Sequence, residues 1–179
     1  MTANVSGGLE KRGSGTLVID KVCTYTGLTR VSGGTLKLGV DGAIDASSGI
    51  VLDGGTLDVD SKAFNVPLAG GAGSVVGKSE IAMSADMVFD AGLLVSGKSI
   101  AVEGKAVFPA GAKVTIVNPE ELYDAKKNRF ALVSASEGFV GALPALDEKL
   151  TKEEWRLRLS HDGKQLYIYR YNGFRLICR

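Results

Sequence analysis

Short apolar runs alternate with polar and glycine positions along the first two thirds of the chain. In Gly15-Thr16-Leu17-Val18-Ile19, Leu17 and Ile19 fall on one face of an extended segment. The same is true of Leu36 and Leu38, and of Leu57 and Val59. A period of two is the mark of a strand. The word Gly-Thr-Leu also returns, at Gly15, Gly34 and Gly55. It degrades to Gly73-Ser74-Val75, Gly92-Leu93-Leu94 and Gly111-Ala112-Lys113, with steps of 19, 21, 18, 19 and 19 residues. Glycine permits the turn and the following Thr and Leu start a strand. Such a unit at a fixed period predicts a solenoid.

Two further apolar segments complete each period. Thr29–Val31, Ile50–Leu52, Met87–Phe89 and Ala106–Phe108 lead into the glycine words. The others lie near Val22–Tyr25, Ala43–Ile44, 64–66, Ile81–Met83 and Ile100–Val102. Three short strands leave no room for a helix of ten residues. The pattern predicts an all-β parallel β-helix, about six coils of about 19 residues over 12–116. At about 4.8 Å per coil the rod is roughly 25–30 Å long. Gly15, Leu17, Gly34, Leu36, Gly55, Leu57, Gly73, Gly92 and Gly111 are its repeat positions, with the apolar residues stacking inside.

The pattern changes after Gly111. Asn118-Pro119-Glu120-Glu121 reads as a short helix start, with Pro and early acids. Arg129–Ala135 reads as a strand, and Thr151-Lys152-Glu153-Glu154 as a second helical turn. Trp155–Ser160 alternates, and Asp162-Gly163 and Asn172-Gly173 mark hairpins joining Gln165–Tyr171 and Phe174–Cys178. Residues 117–179 are expected to form a β-rich cap. Residues 1–11 read as a loop or fraying start, too few and too polar to cover the first coil. That end is then covered by further coils of a longer parent chain, by a thin plug or by a second copy in a homodimer.

Composition sharpens the boundary. Residues 1–116 hold 20 of the 24 glycines, whereas 117–179 hold eight of the twelve aromatics. With 21 basic and 20 acidic residues, the charge gives no reason to expect nucleic acid or an anionic membrane surface. Cys23 and Cys178 fall near opposite ends of the predicted stack and are expected to be free thiols. No apolar leader and no membrane-length apolar run is visible.

Candidate chemistry is sparse. His161, the single histidine, sits in a predicted surface turn, and nothing places it in a catalytic triad. Cys and His are too few for a zinc site. Asp53, Asp58 and Asp60 could approach a cation, but acids on a solvated rod face are the simpler reading. Gly70-Gly71-Ala72-Gly73 is a turn, since no helix follows to make a phosphate cradle. Tyr167, Tyr169 and Tyr171 share one strand face of the cap. Exposed, they could stack on sugars or a partner, and buried, they close the rod. No cofactor, catalytic residue or metal ligand is assigned.

The stretch Gly13-Ser14-Gly15-Thr16-Leu17 … Thr24-Tyr25-Thr26-Gly27-Leu28-Thr29-Arg30-Val31-Ser32-Gly33-Gly34-Thr35-Leu36-Lys37-Leu38 resembles the autotransporter-associated β-strand repeat, departing at Cys23, where Asn is usual. The resemblance implies a right-handed parallel β-helix from a large secreted or surface-displayed bacterial protein, serving as a stalk and associated with passenger export. It offers no catalytic residue. The expected function is a non-enzymatic structural or adhesive module, extracellular or at the cell surface, facing host or glycan surfaces. A carbohydrate-binding face on the rod or cap and a degenerate polysaccharide-active enzyme are the alternatives. The second needs long loops and paired acids, and coil lengths that vary by only three residues leave no room for long loops.

Overall fold

The computed structural model describes residues 7–60, 62, 66–78 and 80–170. In chain order its elements are β1 (Leu9–Lys11), β2 (Thr16–Ile19), β3 (Thr29–Val31), β4 (Thr35–Leu38), β5 (Ile50–Asp58), β6 (Leu68–Val76), β7 (Ile81–Ala82) and β8 (Asp86–Asp90). They continue with α1 (Ala91–Val95), β9 (Ile100–Glu103), β10 (Ala106–Val107), β11 (Lys113–Val117), α2 (Glu120–Asp124) and β12 (Arg129–Ala135). The last are β13 (Phe139–Val140), β14 (Ala145–Leu146), α3 (Glu148–Lys152), β15 (Trp155–Leu159) and β16 (Gln165–Arg170). The fold is mostly β, and its large sheet is mixed.

Three ladders organise the strands. In the first, β1, β3, β5, β6, β8, β11 and β14 pair in parallel. In the second, β2, β4, β5, β6, β9 and β12 do the same. The third holds β7, β10 and β13, and Val22 bridges to Ala43 in parallel earlier in the chain. β5 and β6 run through both of the first two ladders and join them into one sheet. The corner of β5 falls at Gly54, whose φ of +100° most side chains cannot adopt.

The repeated word stacks on itself in the early turns. Thr16, Thr35, Thr56 and Ser74 occupy one row, and Leu17, Leu36, Leu57 and Val75 the next. Leu36, Leu57 and Val75 are fully buried, as are Ile50, Leu68 and Val114 of the first ladder. Each such side chain contributes roughly 1.5–3 kcal/mol. In the third ladder Phe108 stacks flat on Phe139, with ring centroids 5.1 Å apart.

The expected register is lost after Gly73. The residues paired with Gly73-Ser74-Val75 are Ile100-Ala101-Val102, not Gly92-Leu93-Leu94. Gly92 lies in α1, which forms because the Asp90 side chain caps it, accepting from the Leu93 amide at 3.1 Å. From Ser74 to Ala101 the step is 27 residues, and from Ala101 to Ser134 it is 33. Gly111 lies in a turn ahead of β11. Ala106–Val107 belongs to the third ladder and Ile100–Val102 to the second, each one ladder away from its expected place. Two long turns therefore exist where uniform coils were expected. α1 packs on α2, and the Asn118 amide donates to Asp90 Oδ2 at 2.7 Å between them.

Both ends also differ from expectation. Within 1–11, Leu9–Lys11 is a strand paired with β3. Lys11 is buried because its ammonium donates to the carbonyls of Arg12 (2.6 Å), Gly13 (2.9 Å) and Gly33 (3.1 Å). Leu17 and Val18 of β2 remain about two-fifths exposed, at 37% and 44%. At the other end, the composition shift near Val117 is not a break in the stacking. β12, β13 and β14 add a further parallel layer, and only then does the sense reverse. β16 runs antiparallel to both β12 and β15. α3 starts before Thr151, because Asp147 accepts from the Lys149 amide and caps it.

Candidate functional site

The β12–β16–β15 sheet carries the tyrosines. Leu166 and Ile168 face the core and are fully buried, which sends Tyr167 and Tyr169 to the opposite face. Across β12 they meet Ala131 and Arg129, and across β15 Arg158 and Arg156. Tyr167 is nonetheless buried, because the Arg129 guanidinium carbon lies 3.7 Å from its ring centroid. This is cation–π packing from a diagonal neighbour. Tyr169 is half-buried, with its ring 5.9 Å from that of Tyr167 and tilted by 60°. Tyr171 lies outside the described residues.

Arg129, Arg158, Ser160, His161 and Tyr167 bound a groove of about 360 Å³. His161 is exposed in the β15–β16 turn. Beside it, Asp162 accepts from the Ser160 hydroxyl and from the Lys164 amide, and these bonds hold its carboxyl below the usual aspartate range. The face offers cations and one half-open ring, with Tyr167 supporting Arg129 rather than presenting a free ring.

The candidate acids Asp53, Asp58 and Asp60 do not converge. Asp53 pairs with Arg30 at 3.1 Å, Asp58 with Lys37 at 2.8 Å and Asp60 with Lys78 at 2.7 Å. Lys37 and Asp58 are register partners, so that pair links one rung to the next. Asp60 is held below the usual aspartate range, chiefly by the Lys78 hydrogen bond. Among the described residues no cluster of His, Cys, Asp and Glu could hold a metal ion. Cys23 is a free thiol, half-buried, and Cys178 lies outside the described residues.

One feature of the repeat word escaped sequence reasoning. Tyr25, from Thr24-Tyr25-Thr26-Gly27, shares a 2.7 Å hydrogen bond with the hydroxyl of fully buried Thr29. Thr29 Oγ1 lies 3.0 Å from Ser47 Oγ, which reaches the carbonyls of Gly27 and Gly49 at 2.8 and 2.9 Å. Burial raises the Tyr25 phenol above its ordinary value. The chain of hydroxyls ties one turn to the next inside the stack, and nothing in the alternation or the glycine spacing pointed to it.

The arrangement defines a β-rich protein whose early turns stack a repeated word, with a cationic face at one end. Residues 9–38 match the family model for the passenger-associated-transport-repeat. That stretch spans β1 to β4, the turns in which the word stacks in register. No curated protein and no solved structure matches the chain. No helix among the described residues is long and apolar enough to cross a membrane.

Proposed function

We propose that the chain is a length of right-handed parallel β-helix from a secreted or surface-displayed protein, acting as a structural, stalk-like module without catalysis of its own. The observation that carries this is the coincidence of the passenger-repeat match at 9–38 with the in-register rows Thr16–Thr35–Thr56 and Leu17–Leu36–Leu57. The residues of the motif are used up in turns, strands and core. Asp53, Asp58 and Asp60, the acids the enzyme alternative would draw on, each pair with a separate cation rather than facing one another. The half-exposed β2 fits an end that stacks against further coils of a parent chain or a second copy.

The test is protease shaving of intact producing cells, followed by detection of the 9–38 epitope. Loss of the epitope from intact cells is expected, or its appearance in the medium. An epitope protected until lysis overturns the proposal. A glycan-binding face is the second reading, favoured by the groove at Arg129, Arg158 and His161. It rests on Tyr169 and the arginines, since Arg129 occupies the Tyr167 ring. A glycan array on which the Tyr169→Ala protein binds as well as the parent excludes it.

A further inference from the structure

A second pocket lies on the cap where the segment between α2 and β12 meets the start of β15 and the end of β16. Its volume is about 410 Å³, and Tyr123, Lys126, Lys127, Asn128, Trp155 and Arg170 line it. We propose that this pocket binds a small oxyanion: a carboxylate, sulfate or phosphate group, free or borne on a sugar.

Two buried donors carry the argument. Trp155 is 1% exposed, and its Nε1–H has no acceptor among the described residues. The buried Tyr123 hydroxyl has no partner either, and the two rings meet edge to face at 5.9 Å. An indole N–H can only donate, and buried donors in folded proteins are nearly always satisfied. An acceptor is therefore the missing partner.

The charge around them has one sign. Lys126, Lys127 and Arg170 line the pocket, and among the described residues no carboxylate does. None of the three pairs with an acid among the described residues. This contrasts with the rod, where each of Lys37, Lys78 and Lys105 has a carboxylate. Arg170 is positioned rather than loose. Its amide donates to the Asn128 carbonyl at 2.9 Å, and its guanidinium carbon lies 5.3 Å from the Tyr123 ring centroid. A cation would be repelled by this lining, and a neutral apolar guest would leave both donors and all three charges unmet. An oxyanion answers both needs through charge-assisted hydrogen bonds. The volume falls in the range of small-ligand sites, with room for the body that carries the anion.

The reading is independent of the stalk proposal, and the chain supplies its own probe, because Trp155 is the single tryptophan. The full chain is titrated with sodium sulfate, sodium phosphate and sodium galacturonate, with glucose and sodium chloride at matched ionic strength as controls. Tryptophan emission and calorimetry are both read. A saturable response to at least one oxyanion is expected, absent with glucose and chloride. Tighter binding of galacturonate than of the inorganic ions assigns the pocket to an acidic sugar, and the reverse order to the free anion. Lys126 and Lys127 are exposed, so K126Q/K127Q should fold with an unchanged melting temperature and bind at least tenfold more weakly. No saturable signal by either method, or undiminished binding by K126Q/K127Q, overturns the proposal.

Discussion

Leu57 is paired in register with Leu36, and neither side chain reaches solvent. The residue one rung earlier, Leu17, is 37% exposed. The same word therefore has different energetic weight in different rungs. Leu57→Ala should cost about 2–5 kcal/mol in urea unfolding, since it removes packing on both sides. Leu17→Ala should cost clearly less, and Leu36→Asp should prevent native folding by placing a charge in the ladder. Equal losses for Leu17→Ala and Leu57→Ala would contradict the register.

Gly34 and Gly111 both have positive φ, at +59° and +75°. A methyl group at Gly34 would strike the carbonyls of Gly13 and Gly15 and the Lys11 ammonium, whereas at Gly111 it meets open space. Gly111→Ala should carry only the conformational penalty, about 1–2 kcal/mol. Gly34→Ala should lose more and also displace Lys11. Thermal melts of the two variants side by side decide this.

The Tyr25–Thr29–Ser47 hydroxyl chain is buried. Thr29→Val keeps the shape and removes the shared hydroxyl. It should cost about 1–3 kcal/mol, because partners are left unsatisfied. Thr29→Ser should restore much of the loss. A Thr29→Val protein as stable as the parent would show that the hydroxyls contribute nothing net.

The Asp60 carboxyl titrates below the ordinary aspartate value because Lys78 holds it ionised. A depressed value contributes stability above the unfolded pKa, and that contribution is lost as pH falls through the folded one. The stability gap between the parent and Lys78→Gln should therefore be present at pH 7 and shrink below about pH 4. The contact is partly open to solvent, so the gap is small. Urea melts at both pH values measure it, and a gap constant with pH would count against the pairing.

The early turns were legible because they repeat one word with glycine at fixed points and alternation between them. The strand Arg129–Ala135, the alternation from Trp155 and the Asp162-Gly163 turn were legible for the same local reasons. The later turns were not. The Asp90 carboxylate caps a helix there, and Gly92 inside that helix continues the periodic count by coincidence. Long-range partners were also hidden. Alternation puts Tyr167 and Tyr169 on one face, but not Arg129 over the first of them. The pocket at Trp155 joins Leu122, Tyr123, residues 125–128, Trp155 and Arg170, with no shared motif.

The reversal of strand sense at β12 has a consequence for the two ends. β2 offers a half-exposed parallel edge. Among the described residues the main path of the large sheet ends on β15, whose outward side chains are Arg156 and Arg158, and a charged edge strand resists further pairing. Among the described residues the two ends are therefore unequal: a strand added beside β2 would meet apolar side chains, whereas one added beside β15 would meet arginines.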